Sequence, residues 1–291
     1  MRFAFIAAKK VEHRVTILCR CMRVTRSGFY AWARRGLSAR AQRDRVLRTK
    51  LRAFHAASGD RYGRPRLWKD LREDGEAVSE KRVRRLMRDE HIQGRIPKRF
   101  KHTTNSDHTD PIAANVLARD FTAAAPNQRW VSDTTAFVIG ESAKLYLAAI
   151  LDLYSRFVVG WAVSAVNDRR LTLKALEMAV QRRCPDPGLL HHSDRGCTYT
   201  CEDYQTYLAA RGITCSMSRR GDCYDNAMIE SFWSRMQVEL LDRKRWKTRI
   251  ELANAIFEYL EIFHNRQRRH SALGMMSPVE YEQRNESRTA A

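Results

Sequence analysis

The chain has no hydrophobic run long enough to cross a bilayer, and its early apolar stretch, Phe3 to Ala8, is followed directly by Lys9 and Lys10. Neither a membrane anchor nor an export signal is expected, and a cytoplasmic setting is. Paired cysteines are missing as well. The seven cysteines fall at no repeating spacing, which argues against a disulfide framework and for free thiols in a reducing compartment. Cys197 and Cys201 stand close together, yet no second Cys or His pair lies at a ribbon or finger distance, so structural zinc is not expected. Acidic residues are scarce in one region only: from Met1 to Asn105 there are 29 Lys and Arg against 10 Asp and Glu, a net +19, whereas the remainder has 24 against 23. With 44% hydrophobic and 30% charged residues over 291 positions, the chain is large enough for two or three folded units.

A basic block joined to a near-neutral body is the footprint of a polyanion-binding module attached to a separate functional domain. The block reads as short helices. Ile17, Leu18 and Met22 form an apolar stripe, Val24 to Gly28 reads as a turn with a capping residue, and Phe29, Tyr30 and Trp32 follow in a second short helix. A second helix-turn-helix is clearer. Pro65 sits at a first helical position, Leu67 and Leu71 lie four apart, and Asp74-Gly75 ends the helix. Ser79 then caps a helix that turns Val83, Leu86 and Met87 inward and leaves Lys81, Arg82, Arg84, Arg85 and Arg88 outward. That helix is the candidate recognition element, able to reach phosphates and guanine edges in a major groove.

The expected units are residues 1–42, a helix-turn-helix-like segment; 43–95, a basic DNA-binding domain; 96–126, a linker without periodicity; and 127–285, a catalytic domain with a C-terminal helix and basic tail. In the last of these, Trp130 to Ile139, Leu145 to Leu153 and Phe157 to Val163 read as three successive strands, hence an antiparallel meander. Leu171 to Arg182 is helical, Leu189 to His192 a short strand, Tyr199 to Ala210 helical, Ile213 to Met217 extended and Asn226 to Leu241 a long helix. A further helix runs from Ile250 to His264. The fold class is α/β, a mixed sheet with flanking helices, preceded by an all-α helix-turn-helix region.

On this scaffold three carboxylates are expected to converge: Asp133 in the first strand, Asp194 at the end of the fourth and Glu230 on the helix after the last. Two divalent cations about 4 Å apart need several hard oxygen ligands at one point, which is what such a chain could supply. Asn226, one turn before Glu230, shares its face and is a candidate second ligand or orienting group. His192 is a candidate neighbour of the metals or of the scissile phosphate, or equally a structural histidine at a strand end. Arg195 and Arg219 are candidate phosphate contacts, and Arg266, Arg268, Arg269 and His270 form a basic cluster assigned to DNA or subunit contact. Three uncompensated carboxylates repel one another, so the metal-free site is expected to be loose.

Four segments carry a family resemblance: Trp130 to Thr135, His192 to Gly196, Gly221 to Ala227 with Glu230 to Trp233, and Asn265 to Gly274. They resemble the catalytic subunit of insertion-sequence transposases of the IS-three family, within the retroviral-integrase superfamily. The resemblance implies an RNase H-like fold, a catalytic triad at Asp133, Asp194 and Glu230, and Mg²⁺ as the working ion with Mn²⁺ able to substitute. It implies the element's terminal inverted repeats and target DNA as substrates, in a bacterial cytoplasm and on its nucleoid. It further implies a downstream reading frame partnered by, or fused to, an upstream helix-turn-helix and leucine-zipper protein, and a homo-oligomer, dimeric or larger, on DNA. No zipper heptads occur in this chain. Two positions depart from the family pattern: Thr198 stands where Gln is usual, and Arg23 where Gly is common. The competing functions are a DNA-binding regulator inactive without the upstream frame, and a general RNase H-type nuclease.

Overall fold

The structure, a computed structural model, describes residues 1–95, 111–140, 143–219 and 223–289. Gly221 and Asp222 of the resembling segments, and residues 96–110 of the expected linker, lie outside these residues. The chain divides into two compact units, Met1–Gly94 and Arg95–Ala291. Among the described residues no helix is long and apolar enough to cross a membrane.

The first unit is built of two groups of three helices. Helices α1 (Arg2–Lys9), α2 (Val15–Cys21) and α3 (Arg26–Arg34) close on Ile6, Leu18, Cys19 and Phe29, with Phe3 packed against them. Thr25 caps α3 by accepting from the Gly28 amide at 3.1 Å. Arg23, in the turn between α2 and α3, has φ of 53°, a left-handed conformation in which a side chain is strained. That explains why glycine suits this position. Helices α4 (Ala39–Ala57), α5 (Arg64–Glu73) and α6 (Glu80–Asp89) enclose Leu47, Leu51, Leu67, Leu71, Val83 and Leu86. Pro65 stands in the first turn of α5, Gly75 has φ of 82° just past its end, and Ser79 caps α6. The expected break between residues 42 and 43 falls inside the first turn of α4, which Ser38 caps.

The second unit is a five-stranded sheet in the order β3-β2-β1-β4-β5. Strands β1 (Arg129–Ile139), β2 (Ala143–Asp152) and β3 (Val158–Ser164) form the antiparallel meander, and β4 (Leu190–Ser193) and β5 (Thr214–Met217) add in parallel beside β1. Helix α7 (Arg169–Arg183) packs on β3 and β2 and buries Leu171, Ala175, Leu176 and Ala179. Its approach requires Gly160 on β3, where a Cβ would stand 2.2 Å from the Ala175 carbonyl oxygen and 2.7 Å from the Ala179 Cβ. The expected helix from Tyr199 to Ala210 is two, α8 (Cys197–Thr200) and α9 (Glu202–Ala209), broken where Cys201 turns extended. Helix α10 (Ala227–Glu239) contacts β1, and α11 (Arg249–Phe257) continues into a π-helical stretch, Glu258–Gln267, before α12 (Pro278–Thr289).

Residues 111–126, read as linker, belong to this second unit. Leu117 is buried, the Val116 and Leu117 amides donate to the Ser216 hydroxyl at 2.9 and 3.1 Å, and Asn115 and Arg119 reach Asp225. An irregular strap held by side-chain hydrogen bonds has no period to betray it.

Candidate active site

Strands β1 and β4 are parallel neighbours at the middle of the sheet, where the chain leaves in opposite directions after each. Such a switch point, at the carboxyl ends of parallel strands, is where open α/β sheets bind ligands. Val131 pairs with His192, so Asp133 and Asp194, each two residues further on, extend the same register. Both carboxylates are half-buried. Asp194 follows the last residue of β4 and accepts from the Gly196 amide at 2.9 Å. Asp133 accepts from the Thr134 amide at 2.7 Å on Oδ1 and from the Trp233 indole N–H at 2.9 Å on Oδ2. Glu230 lies on α10, half-buried and within electrostatic reach of Asp133.

Burial pushes the Asp133 carboxyl up to about 8, with Asp194 adding to the rise, the two hydrogen bonds opposing it and Glu230 contributing last. Among the described residues no three His, Cys, Asp or Glu side chains stand close enough to hold an ion as they are. The donor chemistry nonetheless fits a hard cation. Besides the carboxylates, Asn226 is buried with its Nδ2 donating to the Ser132 carbonyl at 3.0 Å and its Oδ1 without a hydrogen-bond partner among the described residues.

Of the two readings of His192, its hydrogen bonds describe the structural one. It is fully buried, its Nδ1 meets the Ser216 hydroxyl at 2.8 Å and its Nε2 the Ser218 hydroxyl at 3.1 Å, and burial lowers it to about 4. A neutral imidazole with both nitrogens engaged braces β4 against β5 and the residue after it. Thr198 is buried at the start of α8, its carbonyl taken by the Thr172 hydroxyl at 3.0 Å.

The arginines divide into two sets. Lys81, Arg84 and Arg88 are exposed on α6 and, with Arg64 and His91, line a cleft. Arg82 and Arg85 instead reach back to Asp44 on α4, at 2.8 and 2.6 Å, so the expected outward stripe is narrower than five residues. Arg195 donates to the Ser218 carbonyl at 2.6 Å. Arg219 grips the fully buried Asp225 with two nitrogens, at 3.0 and 2.9 Å, and Arg119 adds a third contact at 2.9 Å. Those partners, Arg219 foremost, hold Asp225 well below the usual carboxylate range. Arg266 is exposed and Arg269 donates to the Met275 carbonyl at 3.0 Å. Arg268 departs most from expectation: it is buried and forms a double hydrogen bond with Glu239, at 2.7 and 2.8 Å. Its assignment to DNA contact is therefore replaced by a structural one. Arg119 was not singled out in the sequence; Asp225 and Trp233 stood within the resembling segments, and the partners their side chains take were not visible there.

A family model described as Integrase core domain matches residues 123–223, a second of the same description matches 211–278, and an HTH-like domain matches 41–100. The chain is 41% identical over 267 residues to the insertion element IS600 uncharacterized 31 kDa protein of Shigella sonnei, covering 92% of this chain and 98% of that one. It is 36% identical over 287 residues to the transposase InsF for insertion sequence IS3A of Escherichia coli K12, covering 98% and 99%. Among solved structures it is similar to a chain of the simian T-cell lymphotropic virus intasome in complex with the PP2A regulatory subunit B56 gamma. There the TM-score is 0.47 and the identity 13%, over 79% of this chain and 73% of that one. The HTLV-2 integrase catalytic core domain in complex with magnesium, in its trimeric form, has a TM-score of 0.43 and 15% identity, over 55% and 99%.

Proposed function

The chain belongs to the IS3 family of insertion-sequence transposases, and we propose that it cleaves DNA at its element's terminal inverted repeats and joins the ends to a target by a two-metal transesterification. The observation that carries the reading is the parallel β1–β4 register, which sets Asp133 and Asp194 side by side at the switch point, with Glu230 on α10, the helix that packs on β1. Asp133, Asp194 and Glu230 would hold the ions, with Asn226 beside them. Their hard oxygens suit Mg²⁺, or Mn²⁺ in its place. When bound, the divalent ions supply Lewis acidity to the entering and leaving oxygens of an in-line displacement at phosphorus. One phosphorus–oxygen bond forms as another breaks, so no covalent protein intermediate and no outside energy source are needed.

The protein's own part is to hold the acids and the substrate. The Thr134 amide and the β1–β4 register support Asp133 and Asp194 as neighbours, and α10 would carry Glu230 toward them. Lys81, Arg84 and Arg88 would hold DNA phosphates and base edges from α6, while Arg195, Arg219, Arg266 and Arg269 are candidates for the strand near the acids. Two element ends must meet, so a dimer or larger assembly on DNA is part of the proposal, as is an upstream-frame partner or fusion in the bacterial nucleoid.

The test is nicking of a labelled inverted-repeat duplex by the chain alone and by its fusion to the upstream frame, with Mg²⁺ or EDTA. Metal-dependent nicking that Glu230→Gln abolishes while gel-shift binding persists supports the reading. Nicking indifferent to that substitution rejects it, and preferential cleavage of RNA in hybrids would assign a nuclease instead.

A further inference from the structure

We propose that Trp233 is a positioning residue for the Asp133 carboxylate, holding that side chain and the Glu230 helix in a fixed relation before any ion arrives. The inference rests on the reading of Asp133 and Glu230 as metal-binding acids and adds a residue to it. Trp233 lies three positions after Glu230 on α10, one helical turn along the same side. It is buried against Phe232, with ring centroids 4.9 Å apart. An indole N–H can only donate, and this one donates to Asp133 Oδ2 at 2.9 Å. The opposite oxygen, Oδ1, takes the Thr134 amide at 2.7 Å. Two donors from two elements thus grip the two oxygens of one carboxylate and set its rotamer.

A second tether makes the arrangement more than a local contact. Asn226, four residues before Glu230, donates to the Ser132 carbonyl at 3.0 Å. The hydrogen bonds from Asn226 and Trp233 therefore bracket Glu230 on α10 and end on consecutive residues of β1. Sliding or rolling α10 along β1 would break both. Glu230 can approach Asp133 only as these tethers allow, which is how an outlying hydrogen bond governs a ligand it does not itself replace. As a plain member of an apolar stripe, Trp233 would serve equally well as phenylalanine.

The decisive variant carries β-(3-benzothienyl)alanine at position 233, in which sulfur replaces the indole N–H with little change of shape; Trp233→Phe is the simpler counterpart. Calorimetric titration of Mn²⁺ into the full chain is expected to show binding weakened roughly tenfold in both. Half-saturating Mg²⁺ for nicking should rise by the same factor. Metal-free gel-shift binding to the inverted-repeat duplex and the far-ultraviolet circular dichroism spectrum should match wild type. If Trp233→Phe fails to fold, the isosteric variant decides alone. Unchanged Mn²⁺ affinity in that variant overturns the role of Trp233 while leaving the triad intact. A wild-type chain that neither binds Mn²⁺ nor nicks DNA overturns the underlying reading, and the positioning role with it.

Discussion

The N-terminal third and the rest of the chain differ in how many acids stand against their basic residues. Through Asn105 the chain carries 29 Lys and Arg against 10 Asp and Glu, and the α6 residues Lys81, Arg84 and Arg88 remain at the surface. Beyond it the count is 24 against 23, and individual arginines are drawn inside by a carboxylate distant in sequence. Arg268 pairs with Glu239 and Arg183 with Glu282, whereas Arg219 stays exposed while it clamps the buried Asp225 nearby in sequence. A run of basic residues therefore carries different meaning according to the acid available to it. Where acids are scarce it offers charge to a polyanion; where they match it in number it becomes internal bracing.

The contrast is broken most forcefully at Arg268. Arg268→Leu strands Glu239 in the interior, and urea denaturation should show a loss of about 3–5 kcal/mol. Adding Glu239→Leu should recover most of it, although the Tyr259 hydroxyl then loses its 2.9 Å acceptor. If Arg268→Leu instead kept full stability and weakened DNA binding, the C-terminal basic run would belong with the α6 surface. A smaller loss, about 1.5–3 kcal/mol, is expected for Asp225→Asn, which weakens the junction of the 111–126 strap with the turn before α10.

Acid sharpens the same comparison, because the second unit also buries neutral histidines. Burial lowers His191 to about 3 and His192 and His264 to about 4, from an ordinary 6.5. Between those values the unfolded chain binds more protons than the folded one, so unfolding free energy should fall as pH drops below 6.5 and continue falling toward 4. Urea midpoints at pH 7 and pH 5 measure it; a midpoint that does not move contradicts the buried, neutral placement. The smallest stability changes belong to α6. Lys81→Ala, Arg84→Ala and Arg88→Ala should each alter unfolding by no more than about 0.5 kcal/mol. Each should nevertheless reduce the log–log salt slope of DNA binding by about one.

Much of the scaffold was legible in the sequence because it is local. Strand patterns at Trp130 to Ile139, Leu145 to Leu153 and Phe157 to Val163 announce the meander, and Pro65, Gly75 and Ser79 punctuate α5 and α6. Helices α1 and α4 were missed, α4 because its inward Leu47 and Leu51 are separated by a dense run of basic and polar residues. Long-range pairings were not legible at all. Nothing near Arg268 indicates Glu239, and nothing near Trp233 indicates Asp133, 100 positions away. Periodicity reports which face is buried and cannot report which donor meets which acceptor across the fold. His192 illustrates the point: its place two residues before Asp194 suggested the metals, while its hydrogen bonds go to Ser216 and Ser218 on the far side.

The account rests on Asp133, Asp194 and Glu230 sharing divalent ions, and the most direct measurement is anomalous diffraction from crystals of the chain bound to an inverted-repeat end in Mn²⁺. It predicts two manganese peaks enclosed by these three carboxylates. Manganese absent from that position, or bound there without Asp133 or Glu230 among its ligands, would contradict it.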